Sequence, residues 1–249
     1  MADSKKQAHS CSHCSLSEIC LPLGVSKQDL EKLEQLVQNS QVQHDGDVVL
    51  HQGDSFHKIY AVKSGMYKSI KLSPDGHETI IGFHLPGELI GLDAIYPEEY
   101  TSSTVALTSS VLCQMDYDQL TELSAHIPAL QRQLMSLLSK EINTSNAMHG
   151  ELTAEQKLSS FIHNLATRYE VRGYSGTELV LAMTRQDIAN HLGMAAETVS
   201  RLLKRFQDKG VLQIKHREVK ILKPDVLLAL TGCEAPAQSV NLTRLHKQA

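Results

Sequence analysis

From residue 48 to residue 115 the apolar positions come in short runs: VVLH (48–51), KIYAV (58–62), MYKSIKL (66–72), ETIIGFHL (78–85), TSSTVAL (101–107) and SVLCQM (110–115). They are rich in β-branched residues and are separated by the turn signals Gln52-Gly53-Asp54, Ser64-Gly65, Pro74-Asp75-Gly76 and Pro86-Gly87. Short strands at this spacing predict a small antiparallel roll or barrel. Before the roll, residues 21–45 read as mostly helical, with Leu30, Leu33 and Leu36 on one stripe. After it the period lengthens to that of a helix from about Asp118 to Met148, with Pro128 marking a kink or a second start. Beyond Pro128, Leu134, Leu138 and Ile142 recur every four residues and Ser145 continues the stripe, while Leu130 and Leu137 lie to one side, toward the roll. A helix apolar on two sides is suited to pairing with a second copy.

A break at His149-Gly150 precedes Thr153-Ala-Glu-Gln156, the signature of a capping box opening a new helix. Farther on, TRQDIANHLGMAAETVSRLLKRFQDKGVLQIKHREVKIL (184–222) reads as a helix-turn-helix followed by a wing. Thr184 and Asp187 cap a short helix that turns Ile188 and Leu192 inward, and Gly193 supplies the turn. A second helix runs from about Ala195 to Asp208 and buries Val199, Leu202, Leu203 and Phe206. Lys209-Gly210 stops it, and two short strands joined near Arg217 follow. The outward face carries Glu197, Ser200, Arg201 and Lys204, types that read base edges in a major groove. Lys204, Arg205 and Lys209 are placed to reach phosphates.

Charge agrees with this division. Residues 1–150 hold 10 Lys+Arg against 18 Asp+Glu, whereas residues 151–223 hold 12 against 8, so the polyanion belongs with the second part. The expected architecture is α+β: an N-terminal loop (1–20), a β-roll (21–116), a dimerisation helix (117–149), a winged helix-turn-helix (150–232) and a disordered tail (233–249). No run approaches the roughly 18 apolar residues of a membrane span. MADSKKQAHS lacks the apolar core of a signal peptide, which gives a cytoplasmic expectation in which thiols stay reduced.

The chemistry is at the other end. CSHCSLSEIC places Cys11, Cys14 and Cys20 within ten residues, and the next cysteine is Cys113, on a predicted strand. Four thiolates can hold zinc or a [4Fe–4S] cube, and a fourth thiol on a strand would tie the loop to the roll. His13 is a substitute ligand, Ile19 a candidate shield beside Cys20, and Cys233 an unligated thiol. Thiol oxidation without metal is a further reading. An enzyme is not supported, because Asp54, His57 and His84 are scattered and form no constellation.

The cysteine spacing with Cys113, the stretch GFHLPGELIGLDAI (82–95) and ETVSRLLKRFQ (197–207) together resemble the fumarate–nitrate reduction regulators (FNR, also ANR), the oxygen-sensing branch of the cyclic-AMP receptor protein superfamily. The resemblance runs from Cys11 to about Leu230. It implies a [4Fe–4S] cluster on Cys11, Cys14, Cys20 and Cys113, a homodimer formed through Leu134, Leu138 and Ile142, and base reading by Glu197, Ser200 and Arg201 in a TTGAT-type inverted repeat of double-stranded DNA. It further implies contact with RNA polymerase near Asp75-Gly76 and residues 108–112. Cyclic-nucleotide binding is not expected: GELIG (87–91) is followed by Leu92-Asp93, and YTSST (100–104) offers no arginine for the phosphate. Ser145 departs from the family's aspartate in the dimer stripe, which predicts readier pairing of the cluster-free form.

Overall fold

The computed structural model describes residues 11–147 and 152–232. The Ser145 side chain, the break at His149-Gly150, and Cys233 with the tail beyond it lie outside the described residues. The chain falls into two compact units, residues 1–150 with 182–191, and residues 151–181 with 192–249.

In the first unit a 3-10 turn (Cys11–His13) precedes α1 (Lys27–Leu36), which Ser26 caps by accepting the Asp29 N–H. Eight strands follow: β1 (Gln38–Asn39), β2 (Val48–Leu50), β3 (Lys58–Ser64), β4 (Tyr67–Leu72), β5 (Glu78–His84), β6 (Leu89–Ile90), β7 (Ser103–Ala106) and β8 (Val111–Asp116). They form two antiparallel four-stranded sheets, β1-β8-β3-β6 and β2-β7-β4-β5, which share one apolar core. The long helical pattern divides at Pro128 into α2 (Tyr117–His126) and α3 (Pro128–Ala147). The helix expected over 21–45 is confined to α1, because residues 11–25 run through successive tight turns and residues 38–39 pair with β8.

Core positions follow the alternation of the strands. Ile59, Ala61 and Val62 of β3, Leu112 and Met115 of β8, and Tyr67 of β4 are buried together with Leu33, Leu120 and Leu130 from the helices. Gly65 shows why the β3–β4 connection demands glycine: its φ is +79°, and a Cβ there would stand 2.0 Å from Ser110 Oγ.

The second unit holds α4 (Ala154–Glu170), with the reciprocal capping box of Thr153 and Gln156, and β9 (Glu178–Val180). Helix α5 (Arg185–Leu192) comes next in the chain. Through residues 182–191 it belongs to the first unit, where Asn190 satisfies the free edge of β5 by donating to the Glu78 carbonyl and accepting the Ile80 N–H. The Lys68 ammonium lies 2.6 Å from Asp187 in the same contact. In the second unit follow α6 (Ala196–Asp208), β10 (Leu212–Lys215), β11 (Glu218–Ile221) and α7 (Pro224–Ala229). The wing gains a strand over the expectation, since β9 pairs with β11 in the order β10-β11-β9. Among the described residues no helix is long and apolar enough to cross a membrane.

Candidate metal centre and DNA-reading helix

The loop that carries three thiols is built from consecutive turns. Cys14 N–H donates to the Cys11 carbonyl, Ser17 N–H to Cys14, and Cys20 N–H to Leu16. Leu16 and Leu21 are buried and root the loop in the core. Ser12 fastens its start to α1 through its N–H (2.8 Å) and hydroxyl (3.0 Å), both donated to Glu34 Oε1. At the far end Gln133 Nε2, on α3, donates to the Cys20 carbonyl at 3.1 Å. Cys113 stands on β8 opposite Ala61 of β3 and Asn39 of β1, and its thiol meets Asn39 Oδ1 at 3.6 Å.

Cys11, Cys14, Cys20 and Cys113 are all free, half-buried thiols, and all four line one cavity. Leu33, Val37 and Met115 are among its apolar walls, and Lys63 supplies a cation. Burial pushes the Cys11 thiol up to about 12, with the Cys113 sulfur and the Glu34 carboxylate adding and Lys63 opposing. Burial likewise takes Cys20 up to about 12, opposed by the Leu21 N–H. Cys113 is raised by burial and eased by Lys63. Burial thus favours the protonated Cys11 and Cys20 thiols, and a cation beside the sulfurs would compensate their charge. The arrangement therefore fits a soft metal group that replaces protons on buried sulfur. The thiols are spread around the cavity wall: among the described residues no three His, Cys, Asp or Glu side chains are gathered as a single ion would gather them.

His13 is exposed and meets Ser12 Oγ at 3.2 Å. Ile19 lies against Gly87, where a Cβ would come within 2.9 Å of its Cδ1. The ties made by Glu34 and Gln133 and the cation of Lys63 were not read from the sequence. Gln133 carried a signal, since it is a polar residue on the face shared with Leu130, Leu134 and Leu137. Of the stripe assigned to dimerisation, Leu134 and Leu138 are half-buried, with Leu134 packed on the core of its own chain. Ile142 is 61% exposed, beside Met135 at 60%.

In α6 the buried side is Val199, Leu202, Leu203 and Phe206, and the opposite side presents Glu197, Arg201 and Lys204 to solvent, with Ser200 half-buried. Arg201 Nε donates back to the Glu197 carbonyl at 3.4 Å. Arg205 and Lys209, read as phosphate contacts, sit beside Glu155 of α4, 3.5 Å and 3.8 Å from its Oε1. That oxygen is buried and has no hydrogen-bond partner, so the two cations are what compensate it.

Known families match both parts of the chain. Residues 42–126 match the cyclic nucleotide-binding domain family, and residues 156–230 match the Crp-like helix-turn-helix domain. The chain is 39% identical over 231 residues to the transcriptional activator protein FnrA of Stutzerimonas stutzeri, covering 92% of this chain and 94% of that protein. It is 40% identical over 229 residues to the transcriptional activator protein anr of Pseudomonas aeruginosa, covering 91% and 93%. The fumarate and nitrate reduction regulatory protein of Vibrio cholerae is 38% identical over 225 residues, covering 89% and 90%. Among solved structures FixK2 from Bradyrhizobium japonicum shares the fold, with a TM-score of 0.72 and 22% identity over 80% of this chain and 99% of that one. A β-roll, a long helix and a winged helix-turn-helix, in a sequence this close to DNA-binding activators rather than enzymes, place the chain among the FNR/ANR-type anaerobic regulators of the CRP/FNR superfamily.

Proposed function

We propose that this regulator responds to oxygen through a [4Fe–4S] cluster held by Cys11, Cys14, Cys20 and Cys113. The observation that carries the reading is the cavity itself: four free thiols, three from a loop and one from a strand, around one apolar chamber. A cluster bound there would supply oxygen-labile iron–sulfur chemistry. The chain's own residues do the rest. The loop 11–24 is tied to β8 when its sulfurs share one group with Cys113, and it keeps its turns, the Ser12 bonds and the buried Leu16 and Leu21 when they do not. Helix α3 pairs two copies through the flank bearing Leu138, Ile142 and Ser145, with Leu134 between that flank and the core.

Two copies then present two α6 helices to successive major grooves, spaced by roughly 34 Å. Glu197, Ser200 and Arg201 read a TTGAT-type inverted repeat, and Lys204 reaches phosphate. Cytoplasmic location, contact with RNA polymerase through the exposed turn Ser73–His77 and the end of β8 near Ser109, and indifference to cyclic nucleotides belong to the same reading. The segment after GELIG supports the last point, because it pairs Asp93 with the Thr101 hydroxyl and offers no arginine to a phosphate.

Anaerobic purification followed by iron and sulfide assay and a visible spectrum tests the proposal. About four irons and four sulfides per chain are expected, with a brown colour that bleaches in air as binding to a TTGAT-type duplex falls. One zinc per chain and DNA binding indifferent to air would refute it. Disulfides formed in air without any iron would favour the metal-free thiol sensor instead.

A further inference from the structure

We propose that Gln133 is the positioning residue through which occupancy of the thiol site acts on α3, because its amide holds the backbone carbonyl of Cys20, itself a ligand. The inference rests on the function proposed above and assigns the coupling to one contact.

Helix α3 has two working faces. One carries Leu130, which is fully buried, with Leu134 and Leu137 packed on the core of the roll. Gln133 lies on this face and reaches the loop, its Nε2 donating to the Cys20 carbonyl at 3.1 Å in a partly buried setting. The other flank leaves Met135 and Ile142 about 60% exposed, open to a second copy. A helix is stiff over such a distance, so what fixes the inner face fixes the outer one.

The loop has few holds of its own. Its start is fastened to α1 by Ser12 and Glu34, and its interior bonds are the turns from Cys11 to Leu23. Cys20 closes the ligand set of the loop, so a group shared with Cys113 fixes its backbone against β8 and keeps its carbonyl under Gln133. Without that group the Cys20 sulfur has no tie to β8, the carbonyl keeps its turn bond and the buried Leu21 beside it, and α3 loses an acceptor fixed against the strand. Glutamine has the chemistry this contact needs, being a neutral donor with the reach to cross from helix to loop. Asparagine is one methylene short, and leucine fills the space without donating.

The test compares wild type with Gln133→Leu and Gln133→Asn. Metal and sulfide content, far-UV circular dichroism and the monomer–dimer dissociation constant are measured for loaded and metal-free protein by anaerobic sedimentation. Both variants should fold and load as wild type does. The ratio of metal-free to loaded dissociation constants should shrink about 3–10-fold, the worth of one partly buried neutral hydrogen bond. An unchanged ratio would overturn the proposal. So would equal weakening of both forms, which would mark Gln133 as mere packing, or loss of iron, which would make it a support of the ligand loop. If wild type carries zinc instead of iron, the same ratio is read between zinc-loaded and metal-free forms, so the strut is judged apart from the identity of the metal. A wild-type chain that binds no metal and dimerises regardless would overturn both.

Discussion

Replacing Glu155 with glutamine should tighten DNA binding, although Glu155 lies on α4 and outside the base-reading helix. Its Oε1 stands 3.5 Å from Arg205 and 3.8 Å from Lys209, and each cation remains 54% exposed. Both lie on the flank of α6 beside Glu197, Arg201 and Lys204, the side on which a DNA backbone would run. In the free protein the carboxylate satisfies two charges that phosphates would otherwise claim, and on binding it must share or release them. Exposed pairs of this kind are worth about 1 kcal/mol or less each, so the affinity gain should be about 2–10-fold for specific and non-specific duplexes alike. The salt dependence is the sharper readout. Each newly engaged phosphate steepens the slope of log K against log salt by about 0.9, so Glu155→Gln should steepen it by about 0.9 to 1.8. Fluorescence anisotropy over a salt series measures both, with Arg205→Ala in the Glu155→Gln background as the control that should return about half of the change. An unaltered slope would show that Arg205 and Lys209 do not reach phosphate, and the assignment of that flank would fall.

Other perturbations address the first unit. Cys113→Ser should abolish iron retention under anaerobic conditions with only a small change in melting temperature, because the residue is a half-buried strand position; full iron content in this variant would remove Cys113 from the ligand set. Gly87→Ala should lower iron retention, since φ is +86° and the new Cβ would stand 2.9 Å from Ile19 beside Cys20; wild-type iron content would contradict it. Burial pushes the Asp187 carboxyl up, but bonds from Lys68 and Thr184 outweigh this and hold it below its ordinary value. A depressed folded value stabilises above the unfolded value of about 4 and is lost as pH falls through the folded one. Asp187→Asn should therefore cost about 3 kcal/mol at pH 7, with the gap to wild type closing below pH 4 in urea titrations; a gap independent of pH would refute the assignment.

What the sequence made legible was whatever is written in local periods and caps. The Thr153–Gln156 box and the buried stripe of α6 each depend on residues a few positions apart, and each stands where it was expected. Strands β1 and β6 were illegible because two residues carry no period. Gln38 and Asn39 become a strand only because β8, some 75 residues on, offers its edge. The same distance hid the site's supports. Glu34 as the acceptor for Ser12 has no local signature, and Gln133 shows only as a polar residue on the inward face of α3, with nothing nearby in the sequence to name Cys20 as its partner. Glu155 as the counter-ion of Arg205 and Lys209 was hidden for a related reason: it lies on α4, some 50 residues earlier in the chain, and only the fold brings its carboxylate alongside them.

On the function proposed above, occupancy of the four thiols governs pairing and, through pairing, DNA binding. Stepwise addition of air-saturated buffer to the anaerobic protein, with cluster absorbance, sedimentation coefficient and TTGAT-duplex binding read on the same samples, tests it directly. All three should fall together, the dimer less completely than the colour because Ser145 lacks the repulsion of the family's aspartate. Bleaching that leaves the dimer and its DNA binding intact would contradict it.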